Sequence, residues 1–129
     1  MGYRSEVVLL MSKEVTPYFL TFLASNPDAR IICENSEKFV MDPVNDWVIH
    51  WHSIKWYEGY EGIEQIATFV DCMNCDDISD YGCTEEDVED STLWSEHFKF
   101  IRVGENHDDV VVQGEGYFDV YPETRISGL

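Results

Sequence analysis

Residues 47–73, WVIHWHSIKWYEGYEGIEQIATFVDCM, contain the two patterns that decide the fold. Residues 47–57 are rich in β-branched and aromatic side chains, which is typical of a strand. Both faces of that strand carry apolar residues, so we predict a central strand of a sheet. After a loop at 58–62, apolar residues recur at helical spacing at Ile63, Ile66, Ala67, Val70 and Met73. The stretch therefore predicts a strand, a loop and an amphipathic helix.

Strict alternation along this strand predicts how its side chains divide between the two faces of the sheet. One face would carry Trp47, Ile49 and Trp51, and the other would carry Val48, His50, His52, Ile54 and Trp56. His50 and His52 could then reach a common ligand, with a nearby carboxylate completing a hydrolytic or metal-binding set. A hydrogen-bonded core residue is the more common role for a histidine among aromatic side chains.

Apolar runs and turn signals on both sides of this stretch predict the other elements. They are a strand at 6–11, a helix from Thr16–Pro17 to Asn26–Pro27, extended segments within 30–41, and strands at 94–103 and 110–121, the last kinked at two glycines. The order β-α-β-β-α-β-β predicts an α+β fold, an antiparallel sheet with two helices on one face. This is a ferredoxin-like arrangement with an added strand. An acidic connection at 74–93 joins the second helix to the next strand, and residues 1–129 form a single domain.

Acidic residues are concentrated in one part of the chain. The 129 residues include 26 Asp and Glu against eight Lys and Arg, a net charge of −18. Half of the carboxylates, 13, lie in the 43 residues from Trp56 to Phe98, which contain no Lys or Arg. Such a charge destabilises the fold by self-repulsion and favours basic partners or divalent cations. Solubility or adaptation to high salt is the alternative explanation.

The densest part of this stretch is the predicted contact surface. Nine carboxylates lie in the 20 residues from Asp71 to Asp90. We predict that the partner-binding residues are Asp76, Asp77, Asp80, Glu85, Glu86, Asp87, Glu89 and Asp90. The same charge repels nucleic acid and anionic membranes, so neither is an expected direct partner.

Motifs for metal binding and catalysis are incomplete. Cys72 and Cys75 form one pair with the spacing of a zinc half-site, whereas a structural zinc site needs two such pairs. The acidic segment lacks the glycine and terminal Glu of an EF-hand loop. No phosphate-binding glycine loop or nucleophile elbow occurs. We therefore predict no metal, no cofactor and no catalytic residue.

The expected location is a cell interior. No stretch approaches the roughly 20 apolar residues of a membrane helix, and the N-terminus has no apolar signal region. The four cysteines, Cys33, Cys72, Cys75 and Cys83, are then expected to be reduced.

Four segments, MGYRSEV at 1–7, MSKEVTP at 11–17, IKWYEGY at 54–60 and FIRVGE at 100–105, resemble a family of small acidic proteins encoded by tailed bacteriophages. The resemblance covers most of the chain and implies no shared activity or catalytic residues. It implies a bacterial cytoplasm and an accessory gene that acts against host functions. Small acidic phage proteins often inhibit restriction, CRISPR or other nucleic-acid-handling enzymes by imitating DNA, which is an argument by analogy.

The resulting hypothesis is a non-enzymatic inhibitor that binds a basic, nucleic-acid-binding bacterial protein through its acidic surface. An anti-CRISPR or anti-restriction role is its most specific form. One alternative is a protein that binds or sequesters a nucleotide or another small molecule through the strand at 47–57. The other is an assembly role, as a homodimer or a virion component.

Overall fold

The computed structural model describes residues 4–40, 47–57, 59–75, 78, 81, 94–104, 109–114, 121–122 and 126–127. Its strands are β1 (Ser5–Met11), β2 (Lys38–Val40), β3 (Trp47–Ile54), β4 (Phe98–Val103), β5 (Val110–Gln113), β6 (Tyr121–Pro122) and β7 (Ile126–Ser127). Its α-helices are α1 (Thr16–Ser25), α2 (Pro27–Glu34) and α3 (Glu61–Asn74). Single 3-10 turns at Lys13–Val15 and Trp94–Glu96 precede α1 and β4.

Five strands form one antiparallel sheet in the order β2-β3-β1-β4-β5. The first four follow the split βαβ order, and β5 is added beyond β4. The predicted α+β class and the added strand are therefore confirmed. β3 is interior as predicted, but the middle of the sheet is β1, whose residues Val7 to Leu9 are completely buried.

The region predicted to contain extended segments at 30–41 divides in two: residues 30–34 are helical, so the prediction is wrong there, whereas Lys38–Val40 form the strand β2. The two β-branched residues at 31–32 suggested a strand, but Ala29 and Cys33 lie one helical turn apart and are both buried. The carbonyl of Ile32 also accepts a hydrogen bond of 2.9 Å from the indole nitrogen of Trp51. Pro27 starts α2 at the position where its missing N–H is harmless. The described residues therefore form three α-helices where the sequence predicted two.

The main core lies between the helices and one face of the sheet, called the helix face below. Phe19 and Phe22 of α1 contact Phe69 of α3 with ring centroids 5.5 and 4.9 Å apart. Phe19 also meets Trp47 of β3 edge-on at 5.4 Å. Aromatic pairs of this kind add about 0.5–1.5 kcal/mol each beyond the area that they bury. These aromatic side chains therefore pack α1 against α3 and against the sheet.

The opposite face carries a second, smaller core of Val8, Leu10, Ile101 and Val103. β6 lies against β4, and β7 lies against β1. Both edges of β1 are already paired with β3 and β4, so β7 reaches it over a face and not along an edge. The helices occupy the other face, so the β6–β7 hairpin covers this one.

Three predicted strand boundaries shift. β3 ends at Ile54 and not at 57, and β4 begins at Phe98 because residues 94–96 form a 3-10 turn. The predicted strand at 110–121 ends at 113, since Gly114 has a φ of +89°. A Cβ atom there would lie 2.3 Å from the carbonyl oxygen of Phe98. Only glycine fits this position. The predicted strand kinked at two glycines is therefore corrected to a strand that ends before Gly114, and the second glycine, Gly116, lies outside the described residues.

Candidate acidic interaction surface

The eight residues predicted to bind a partner all lie outside the described residues. They are Asp76, Asp77, Asp80, Glu85, Glu86, Asp87, Glu89 and Asp90. Most of the predicted acidic connection at 74–93 lies outside as well. The described part of the acidic stretch is α3 with its flanks, and this part can be built up from its residues.

The helix α3 forms where the sequence pattern predicted it. Ile63, Ile66, Val70 and Met73 are buried, and so is Phe69 between them. At its first turn Gly62 is packed against α2, where an added Cβ would lie 2.3 Å from Cδ1 of Ile32 and 2.9 Å from the carbonyl oxygen of Asp28. This close approach fixes which side of α3 faces solvent.

The solvent side of α3 is acidic. Glu61, Glu64 and Asp71 are exposed on it, spaced along the length of the helix. Among the described residues, no Lys or Arg lies within ion-pair distance of any of the three. Glu61 and Glu64 also sit in the first turn, where the helix dipole favours negative charge. The helix therefore holds these carboxylates in place on its solvent-exposed side.

The described arginines are paired with groups outside α3. Arg30 binds Glu34 at 3.0 Å one turn along α2. Arg102 of β4 binds Asp109 through two nitrogens, each 3.1 Å from a carboxylate oxygen. Arg4 donates to the carbonyl of Ser53 at 3.3 Å. None of these three arginines forms an ion pair with a carboxylate of α3.

A shallow recess lies beside α3, with a volume of about 300 Å³. It is lined by Phe22, Asn26, Glu61, Glu64, Gln65, Thr68 and Tyr81. The edge of Tyr81 meets Phe69 at a ring centroid distance of 4.7 Å and Phe22 at 5.8 Å. Tyr81 thus joins the acidic stretch after α3 to the helix layer, close to Glu61 and Glu64.

The predicted alternation of β3 fails near its end. One extra residue of β3 lies between the pairs Val7–Trp51 and Ser5–Ile54, which is a β-bulge. The bulge turns Ile54 and Trp56 to the helix face, where both pack against the main core. The prediction that they share a face with the two histidines is therefore wrong.

The histidines of β3 lie on the hairpin-covered face. His50 is buried, and its Nε2 lies 2.8 Å from a carboxylate oxygen of Glu6 on β1. His52 is exposed, and its ring centroid lies 4.4 Å from that of His50. Glu6 is the nearby carboxylate that the sequence could not identify, because it lies 44 positions away and only strand pairing brings it close. The tryptophans of β3 face the helices instead, so no combined aromatic–histidine surface forms.

Cysteines occupy three different environments. Cys33 is buried, and this burial, with the charge of Glu34, raises the pKa of its thiol to about 12. Cys72 is half-buried, Cys75 is exposed, and Cys83 lies outside the described residues. In the part of the chain that the structure describes, no three His, Cys, Asp or Glu side chains lie close enough to hold a metal ion.

One carboxylate away from α3 has a shifted pKa. Partial burial acts to raise the pKa of Glu14, but hydrogen bonds from its own backbone and from Ser12, and the charge of His97, lower it below its usual value. His97 links these groups, since its Nδ1 lies 2.9 Å from the Ser12 hydroxyl. This cluster joins the turn before α1 to the turn before β4.

Within the described ranges, no helix is both long enough and apolar enough to cross a membrane. Comparison with known proteins found no family model, no curated protein and no solved structure that matches this chain.

Proposed function

We propose that this protein is a non-enzymatic inhibitor that binds a basic, nucleic-acid-binding bacterial protein through its acidic surface. The observation that supports this most is the exposed side of α3, where Glu61, Glu64 and Asp71 have no described Lys or Arg within ion-pair distance. In the sequence, α3 is followed by the acidic segment at 74–93. The resemblance to small acidic phage proteins supports a bacterial cytoplasm and an anti-CRISPR or anti-restriction role.

The mechanism is competition with nucleic acid for a basic groove. Duplex DNA presents one phosphate charge per about 1.7 Å of its axis, and proteins that bind it match this charge with Lys and Arg. A folded, acidic surface occupies such a groove sterically and electrostatically. Opposite potentials also accelerate the encounter, so association should be fast at low salt and slow at high salt. Catalysis is not required at any step.

Charge reversal tests this proposal. Changing Asp76, Asp77, Glu85 and Glu86 to Lys should abolish capture of the basic partner from lysates of phage-sensitive bacteria. Capture should also fall as NaCl is raised, because salt screens the attraction. Circular dichroism and thermal unfolding report whether the variant is folded.

Two double variants with the same net charge test whether binding depends on where the acidic residues lie or only on the total charge. Asp77→Lys with Glu86→Lys changes the net charge by the same amount as Glu14→Lys with Glu34→Lys, two exposed residues outside the acidic stretch from Trp56 to Phe98. Only the first pair should weaken binding, by about tenfold. Equal affinity for both pairs and the original protein would contradict the proposal.

A further inference from the structure

The added strand β5 creates a cleft that the four-stranded arrangement would lack. Beside β5, the helix face of the sheet opens between α3 and the strands β4 and β5. The cleft has a volume of about 250 Å³ and is lined by Trp56, Ala67, Val70, Asp71, Phe100, Arg102, Val111 and Gln113. Strand register accounts for the lining, because Phe100 pairs with Gln113 and Arg102 with Val111 on this same face.

The floor of the cleft is aromatic. The rings of Trp56 and Phe100 are inclined at 42° with centroids 5.6 Å apart. Trp56 is half-buried and leans on the buried Trp51 at 5.4 Å, so it is held in position while part of its surface stays accessible. It lies two residues beyond the end of β3, just after the β-bulge. A tryptophan face attracts cations more strongly than any other aromatic side chain.

The charges around the cleft also favour a cation. The positive charge of Arg102 is paired with the carboxylate of Asp109, which it contacts through two nitrogens. Asp71 on α3 is exposed, with no Lys or Arg of the described residues in ion-pair distance. The side-chain carbonyl of Gln113 adds an uncharged acceptor. The cleft therefore combines a π face, a carboxylate and a neutral acceptor.

We infer that this cleft receives an arginine side chain of the basic partner. A planar guanidinium can stack on Trp56 while donating to Asp71, which the compact ammonium of lysine cannot do equally well. The volume is below the range of about 300–1,000 Å³ that is usual for sites of drug-sized ligands, and it suits a single side chain. The inference rests on the proposed function for the identity of the partner, but the cleft itself is tested without it.

The test uses the isotope-labelled protein and isolated arginine. Nα-acetyl-arginine amide is titrated while the indole N–H of Trp56 and the amides of Asp71 and Gln113 are followed by NMR. Saturable shifts are expected at these three positions. The citrulline amide, which has the same shape without the charge, should produce none, and the lysine amide should bind more weakly. Asp71→Asn should weaken arginine binding by about threefold or more, whereas the matched change Glu64→Gln on the same helix should have no effect.

Three results would overturn the inference: no shifts at the cleft, equal affinity for citrulline or lysine, or tighter binding of inorganic phosphate, which would indicate an anion site at Arg102. The outcome is independent of partner capture. If arginine binds but the Lys variant of Asp76, Asp77, Glu85 and Glu86 still captures the partner, the proposed function fails and the cleft is still an arginine site. If the charge-reversed variant loses capture and no arginine binds to the cleft, the proposed function stands and the inference about the cleft fails.

Discussion

At the residue scale, Cys33 and Cys75 show how burial changes the reactivity expected of a cysteine thiol. Cys33 is buried and its pKa is raised to about 12, whereas Cys75 is exposed beyond the end of α3. At pH 8 a thiol with that pKa is ionised to about one part in ten thousand. Since the thiolate is the nucleophile, only an accessible and ionisable thiol reacts quickly.

We expect iodoacetamide to label Cys75 rapidly in the folded protein and to leave Cys33 unmodified over the same time. Mass spectrometry of peptides would assign the two sites. In concentrated urea both should react at similar rates, because burial is the cause of the protection. Fast labelling of Cys33 under native conditions would contradict the structure.

At the scale of elements, the contact between α2 and α3 sets the direction in which the acidic face points. Gly62 allows the first turn of α3 to approach the Asp28 carbonyl and the Ile32 side chain. Alanine has the better helix propensity by about 1 kcal/mol. A Cβ in this contact would nevertheless force the two helices apart, which costs about 1–3 kcal/mol in a packed core.

Gly62→Ala should therefore lower the free energy of unfolding by about 1 kcal/mol, the difference between these opposing effects. Urea denaturation measures it. Gly59→Ala is the matched control, because nothing lies within 4 Å of the position that an added Cβ would take, and its stability should change by less than about 0.5 kcal/mol. A stabilised Gly62→Ala protein would show that the helices are not in contact at this point.

At the scale of the whole molecule, the net charge of −18 opposes folding. Raising NaCl from about 10 mM to about 150 mM shortens the screening length from about 30 Å to about 8 Å. Repulsion among the carboxylates falls more in the folded state, where they are closer together. We expect Tm to rise by about 3 °C or more over this range, which corresponds to about 1 kcal/mol.

Differential scanning calorimetry would measure this rise. A variant with Glu61→Gln, Glu64→Gln and Asp71→Asn should show a smaller rise, since it removes three of the repelling charges on α3. A Tm that is independent of salt, or that falls, would mean that the carboxylates are already compensated in the folded protein.

The sequence by itself determined the α+β class, the helices that begin at Thr16 and near Gly62, and the interruption at Gly114. Each rests on local physics: a proline in the first helical turn, apolar spacing along a helix, or a φ that only glycine adopts. It also determined the total charge and its concentration between Trp56 and Phe98.

Only the tertiary structure decided the helical state of residues 30–34, the pairing of His50 with Glu6, and the cleft at Trp56. In each case the cause is a contact between distant parts of the chain. Burial of Cys33 outweighs the strand preference of its neighbours, and strand pairing brings Glu6 to His50. The bulge in β3 is defined by its pairing with β1, so local sequence patterns do not encode it. Beyond the bulge, Trp56 lines a cleft with Arg102 and Asp71.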